Sequence, residues 1–199
     1  MSKYDAAARD WSARAYADPE WYLAERAAAI ARTGPPLTAG DTVLDLACGD
    51  GGVADFLPEG VRYLGADASE EMVAAARAHG REVVHADLND FAPEGPVAVT
   101  TCFRAIYYAR ERRAFFDHVR GYTEKKFVFD LNPRQFHLDD VRADARAAGF
   151  SSFEARPFFV SQTRALPVFV ARSLRVAERF PPAAAAILRL RFTYVCATW

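Results

Sequence analysis

Residues 42–57, TVLDLACGDGGVADFL, constrain this chain more than any other stretch. Val43, Leu44 and Leu46 make an apolar run of strand length, interrupted by Asp45 near its carboxyl end. Gly49, Gly51 and Gly52 follow, and Val53, Phe56 and Leu57 take up a helical spacing at once. Glycines permit positive φ and let a ligand approach the backbone closely. A helix that begins there presents unpaired N–H groups. Strand, glycine turn and helix in that order predict a nucleotide- or nucleoside-binding site at the first strand of an α/β sheet.

The rest of the chain repeats the alternation. Residues 61–66 read as a second strand ending at Asp67, and Ser69 caps a helix running to His79. Residues 82–86 read as a third strand before Asp87 and Leu88, and residues 97–102 as a fourth. A helix over 111–122 carries Phe115, Phe116 and Val119 on one face. Residues 126–131 make a fifth strand, a helix over 138–148 ends at Gly149, and residues 153–160 make a sixth strand. Strands alternating with helices call for a mainly parallel sheet covered on both faces. The flanks differ. Residues 1–33 read as helices bearing Tyr4, Trp11, Tyr16, Trp21 and Tyr22, with Asp18 as an N-cap and Pro19 in the first turn. Those aromatics either pack on the sheet or form a lid over a ligand. Between the sixth strand and a last strand at 192–197 lies a helix over 167–179. It sets Arg172, Arg175 and Arg179 on one face and Leu166, Phe169, Val170, Leu174 and Ala177 on another, and Pro181-Pro182 breaks it. The expected organisation is one domain, with a leader at 1–39, a core at 40–160 and an inserted segment plus final strand at 161–199.

Charge and cysteine content narrow the classes. A formal net charge of −1 leaves no basic field for nucleic acid. Cys48, Cys102 and Cys196 lie far apart with no zinc-like spacing, so buried, reduced thiols in a cytoplasmic protein are expected. The polar start is not a signal peptide, and no apolar run has the length of a membrane span. No metal site is expected.

Three acids, Asp45, Asp67 and Asp87, stand at the ends of the first three strands, along one edge of a parallel sheet. A carboxylate at Asp67 can accept hydrogen bonds from both hydroxyls of a ribose. Asp87 suits an adenine amino group, and Asp45 could hold an ammonium directly or through water.

The chain resembles the class I S-adenosylmethionine-dependent methyltransferases over about residues 40–160. VLDLACGDG is similar to their first motif, YLGADASEEMVAAAR to their second-strand segment and HADLNDF to their third, and AAGF precedes the sixth strand. The resemblance implies a Rossmann-like seven-stranded sheet, mainly parallel, with helices on both faces, an antiparallel last strand and a helical N-terminal leader. It implies S-adenosyl-L-methionine as cofactor. Asp45, Ala47, Gly49 and Gly51 would cradle its methionine part, and Asp67, Ala68 and Met72 would surround the ribose. Asp87 and Leu88 would meet the adenine, with Cys102 and Phe103 beside the sulfonium.

Methyl transfer to a small-molecule acceptor with an apolar or aromatic part is the expected activity. The candidate substrate residues are Tyr16, Trp21, Phe103, Arg104, Tyr107, Asn132 and Arg134, and Tyr107, Tyr108 and Arg104 are the catalytic candidates. Arg104 could anchor a carboxylate or phosphate. His79, His85, His118 and His137 stand away from the expected substrate edge, His137 the least so. Thr101-Cys102-Phe103-Arg104 lacks the Asn/Asp-Pro-Pro-aromatic pattern of amino-directed nucleic-acid methyltransferases. The long insertion departs from the short hairpin of many relatives. It would cap the pocket, meet a partner or touch a membrane. Two other readings are a cofactor-binding partner subunit without activity and a NAD(P)-dependent oxidoreductase, since Gly49 to Ala54 also fits GxGxxA.

Overall fold

The computed structural model describes residues 11–190 and 192–199; Tyr4 and the start of the expected leader lie outside the described residues. The chain order is α1 (Trp11–Ala15), α2 (Pro19–Arg32), β1 (Thr42–Leu46), a 3₁₀ turn (Gly52–Phe56), β2 (Arg62–Asp67), α3 (Glu70–Ala78), β3 (Val83–His85) and β4 (Val97–Cys102). A second 3₁₀ turn (Ile106–Tyr108), α4 (Arg112–Arg120), β5 (Thr123–Leu131), α5 (Leu138–Ala147), β6 (Phe153–Phe158), α6 (Val168–Ala177), α7 (Pro181–Leu188) and β7 (Thr193–Thr198) complete it.

The seven strands form one sheet in the order β3-β2-β1-β4-β5-β7-β6. The strands pair in parallel from β3 to β5, and β7 is antiparallel to both β5 and β6. The strand order reverses between β1 and β4, which opens a crevice at their carboxyl ends. Both faces of the central strands are covered, so their runs are apolar rather than alternating with polar residues. On one face Leu44, Leu46, Phe127 and Phe129 pack with Phe115, Phe116 and Val119 of α4 and Val141 of α5. On the other, Val43, Val99 and Val128 pack with Tyr22, Leu23, Ala27 and Ile30 of α2.

Two buried charges fasten α2 to the sheet. Lys126 of β5 donates from Nζ to the carbonyls of Ile30 at 2.6 Å, Ala31 at 3.3 Å and Thr33 at 2.7 Å. Those oxygens have no partner within the helix, since they end it. Near the helix's middle, Arg26 donates from Nη2 to Asp45 of β1 at 2.6 Å.

Local structure departs from the sequence pattern in two places. The helix expected directly after the glycine turn is only the 3₁₀ turn Gly52–Phe56. Leu57 there is extended, as a residue before proline must be, and Pro58 prevents a continuing helix. Pro181-Pro182 does more than end a helix: both sit in the first turn of α7, where missing N–H groups cost nothing. Smaller differences are strand ends, with β3 shorter than 82–86 and β5 starting three residues earlier.

Candidate functional site

At the carboxyl ends of β1, β2 and β4 lies a cavity of about 460 Å³. Ala47, Cys48 and Gly49 from the glycine turn line it, with Asp67 at the end of β2, Ala68 and Met72 beyond it, and Asp87, Leu88 and Asn89 after β3. Phe103, Arg104, Tyr107 and Tyr108 after β4 close one side, and Trp11, Tyr16 and Arg26 close it from above.

Backbone geometry shapes this floor. Among the described residues, only Ala47 and Arg104 combine a side chain with positive φ, at 54° and 58°. Each follows a central strand, β1 or β4, so the strained positions flank the crevice. Such strain persists only where surrounding structure holds it. Gly49 also has positive φ, at 61°, and a Cβ there would meet the Trp11 ring at 3.0 Å. Helix α1 therefore rests on the glycine turn. Its start is tied down by Asp50, which accepts from the Ser12 N–H at 3.1 Å and the Ser12 hydroxyl at 2.8 Å. Arg81 braces the turn from below, donating to the Asp50 carbonyl and to Asp55.

Asp67 is fixed by two backbone donors, Gly49 N–H at 2.8 Å and Ser69 N–H at 2.9 Å. Burial raises its pKa above the ordinary aspartate value, against those two bonds. Each carboxylate oxygen keeps a lone pair for a further donor. Asp87 is exposed, and the Asn89 N–H lowers its pKa, with the Asn89 amide and Arg110 helping.

Several anticipated positions lie elsewhere. Asp45 does not line the cavity: fully buried, it accepts from Arg26, from the Thr101 hydroxyl at 2.6 Å and from the Tyr63 hydroxyl at 3.4 Å. Gly51 turns away from it, since a Cβ there would meet the Tyr63 hydroxyl at 3.0 Å and Arg81 Cδ at 3.1 Å. Cys102 is buried in the core under the cavity. Trp21 packs on the α2 face of the core, and Arg134 is exposed; neither lines this cavity. The four histidines line neither this cavity nor the second one described below. Ala47, Gly49, Asp67, Ala68, Met72, Asp87 and Leu88 do come together, as do Tyr16, Phe103, Arg104, Tyr107 and Tyr108.

Two residues not singled out from the sequence stand at the site. Arg26 lies on the buried stripe of α2 with Tyr22, Leu23 and Ile30. Its guanidinium sits 4.4 Å from the Phe103 ring centroid, and its Nε is buried without a hydrogen-bond partner. Burial opposes its charge, but Asp45 together with Tyr16, Tyr22 and Tyr63 outweighs that and raises its pKa. An arginine on an otherwise apolar helical stripe was the available signal. Asp130, near the end of β5, repeats the pattern of Asp45: an acid interrupting an apolar strand, VLDL and FVFDL. It accepts the Arg104 N–H at 2.6 Å.

A second cavity, about 140 Å³, opens beside the first between the ends of β4, β5 and β7. Arg104 and Tyr107 line both cavities, and Asp130, Asn132, Gln162 and Thr193 complete the polar wall of the smaller one. Gln162 begins the inserted segment and donates to the Tyr22 hydroxyl at 3.0 Å. On α6, Leu174 and Ala177 pack against Phe159, Ala184 and Leu188, while Val168, Val176 and Phe169, the last 71% exposed, face outward. No described helix is long and apolar enough to cross a membrane. No group of described residues gathers three potential metal ligands.

Residues 43–126 match the family model of a methyltransferase domain. No curated protein matches the sequence. Among solved structures, the fold is similar to one in the complex between the Haloferax volcanii Trm112 methyltransferase activator and a methyltransferase. That match has 22% identity and a TM-score of 0.70, covering 100% of this chain and 97% of the other. An S-adenosylmethionine-dependent methyltransferase from Mesorhizobium loti is 20% identical with a TM-score of 0.64, over 92% and 99% of the two chains. Haemonchus contortus phosphoethanolamine N-methyltransferase 2 is 16% identical with a TM-score of 0.60, over 87% of this chain and 51% of that one.

Proposed function

We propose that this chain is a class I S-adenosylmethionine-dependent methyltransferase, as its methyltransferase-domain match over residues 43–126 supports, and that the acceptor is a small molecule bound where the two cavities meet. The observation that carries the reading is the larger cavity at the sheet's switch point, with Asp67 pinned at its edge by Gly49 and Ser69.

The residues fit the cofactor. A cavity of about 460 Å³ is in the range for a nucleoside-sized ligand. Asp67 has acceptor capacity for ribose hydroxyls, while Ala68 and Met72 line the same part of the cavity. Asp87, Leu88, Ala47 and Gly49 line the same cavity, and this reading assigns the first two to the adenine and the last two to the methionine part. The orphaned Nε of Arg26 suits the methionyl carboxylate, so Asp45 acts on the cofactor through Arg26. When bound, the cofactor supplies a methyl group already activated on a sulfonium. The chain then has to align an acceptor and exclude water. Trp11 and Tyr16 cover the cavity from the α1 side, and Phe103, Tyr107 and Tyr108 wall the side toward the acceptor.

The experiment is calorimetric titration with S-adenosylhomocysteine and, separately, NADH, on wild type and Asp67→Ala. Binding of S-adenosylhomocysteine alone, weakened at least tenfold in Asp67→Ala with the melting point kept, is the expected result. Unchanged affinity in the variant removes the ribose assignment, and stabilisation by NADH alone overturns the whole reading.

A second reading is favoured by the exposed side chains of α6, Val168, Phe169 and Val176. They support a chain whose activity needs a protein partner, as the similarity to a methyltransferase found with its activator also suggests. Under that reading purified protein binds the cofactor but methylates acceptors only after host extract is added back.

A further inference from the structure

The smaller cavity is built from polar groups that the cofactor site leaves unused. Arg104 lines it, and its Nη1 is buried with no hydrogen-bond partner. A buried guanidinium donor left unpaired is costly unless a ligand completes it. The guanidinium is held in place, 5.5 Å from the Tyr16 ring centroid. Its backbone is strained, at a φ of 58°, and the Asp130 carboxylate clamps that strained N–H at 2.6 Å. Asp130 itself is only 7% exposed, and what it presents is toward this cavity.

We propose that this cavity is the acceptor subsite, that Arg104 holds an anionic group of the acceptor there, and that Asp130 takes the proton from its nucleophilic oxygen or nitrogen. The inference rests on the methyl-transfer reading and adds the substrate class: a small protic molecule bearing a carboxylate or similar anion. The cavity's size, about 140 Å³, admits a small acid or the acidic end of a larger molecule. Ile106, Tyr107 and Phe136 share its lining with Arg104, Asp130 and Asn132, so an apolar or aromatic part of the acceptor can sit beside the anion.

The step balances as follows. The acceptor's oxygen or nitrogen bonds to the methyl carbon while the carbon–sulfur bond breaks, and that electron pair stays on sulfur. The acceptor's proton passes to the Asp130 carboxylate. Placement on both cavities sets Arg104 and Tyr107 between cofactor and acceptor, the position from which alignment is controlled. Burial raises the Asp130 pKa against the Arg104 N–H and the charges of Arg26 and Arg104, which moves it toward the range where a general base works well. The other ionisable groups around it are Tyr22 on α2, Cys102 on β4 and Cys196 on β7, all held neutral by burial.

The test uses protein saturated with S-adenosylhomocysteine and three probes, glycolate, glycine and 4-hydroxybenzoate, each against its neutral amide. Binding is read by ligand-observed NMR, and methyl transfer by tritium from labelled S-adenosylmethionine. At least one carboxylate should bind and accept methyl groups while its amide does neither, and Arg104→Gln should weaken that binding tenfold or more. Asp130→Asn keeps an acceptor for the Arg104 N–H. It should bind S-adenosylhomocysteine and the carboxylate like wild type, yet transfer methyl groups about a hundredfold more slowly and lose the acid limb of the pH–rate profile. Equal binding of amides, failure of every carboxylate to bind or be methylated, or wild-type turnover in Asp130→Asn overturns the inference. If S-adenosylhomocysteine itself does not bind, the underlying reading has failed instead.

Discussion

Arg26 and Asp45 are the place where stability and cofactor binding can be separated by measurement. Asp45 is wholly buried, and the Arg26 side chain is nearly so, with 2.6 Å between them. Replacing Arg26 by alanine strands a carboxylate in the core, leaving it the Thr101 and Tyr63 hydroxyls. Breaking a buried pair from one side costs about 3–5 kcal/mol. In a chain of this size each kcal/mol moves the melting point by roughly 2–4 °C, so the loss should be on the order of 6–20 °C. Asp45→Ala should lose a comparable amount, because it strands the guanidinium. The double variant Arg26→Met with Asp45→Leu should recover most of the stability, since a buried pair and an apolar pair of similar volume are near equal. Urea and thermal unfolding of all four proteins make the comparison, with titration of S-adenosylhomocysteine alongside. The double variant should be stable and still bind weakly, because the Arg26 Nε is gone. If Asp45→Ala melts with wild type and loses affinity alone, Asp45 is a ligand-facing acid and the structural account is refuted.

Lys126 gives a signature in alkaline solution. Burial pushes its ammonium from 10.5 down to about 8, so between those values the unfolded chain holds a proton that the folded chain has shed. Stability from this group therefore rises with pH through that window and is lower below it. The difference in urea midpoint between wild type and Lys126→Met should widen in favour of wild type from pH 8 to pH 10; parallel profiles would count against it. Asp67, whose pKa is raised by burial, should lose affinity for S-adenosylhomocysteine on acidification, starting above the ordinary aspartate value, because the protonated acid gives up an acceptor. Titrations from pH 7 down to pH 4 check this, and a constant affinity contradicts it. Gly49→Ala sets a Cβ 3.0 Å from Trp11 at positive φ. It should destabilise by about 1–2 kcal/mol and lift α1 from the turn, read as a change in tryptophan fluorescence.

Much of this molecule could be read from local pattern. The apolar runs with helices between them determine a parallel sheet, because buried strands and covering helices each have one economical arrangement. Ser69 and Asp18 mark helix starts by donor satisfaction alone, and both accept the N–H groups expected of caps. The acids at the end of β2 and after β3 line the cavity for the same reason that they stand out in the sequence: a strand's end fixes where its neighbours go. The short 3₁₀ turn after Gly51 was also within reach, since Pro58 was in view.

Tertiary structure decided what pairs with what. Asp45 and Asp67 look equivalent in sequence, each at the end of an apolar strand. Only the docking of α2 brings Arg26 onto Asp45 and turns one acid into a buried partner while leaving the other on the cavity. Asp130 and Arg104 lie 26 residues apart on neighbouring strand ends, and nothing local to either announces the 2.6 Å bond between them. Spacing along a chain carries helix and strand periodicity, and therefore which face a residue occupies. Which charge meets it across that face depends on the register of strands and on where a distant helix lands, and these are settled only when the whole sheet is assembled.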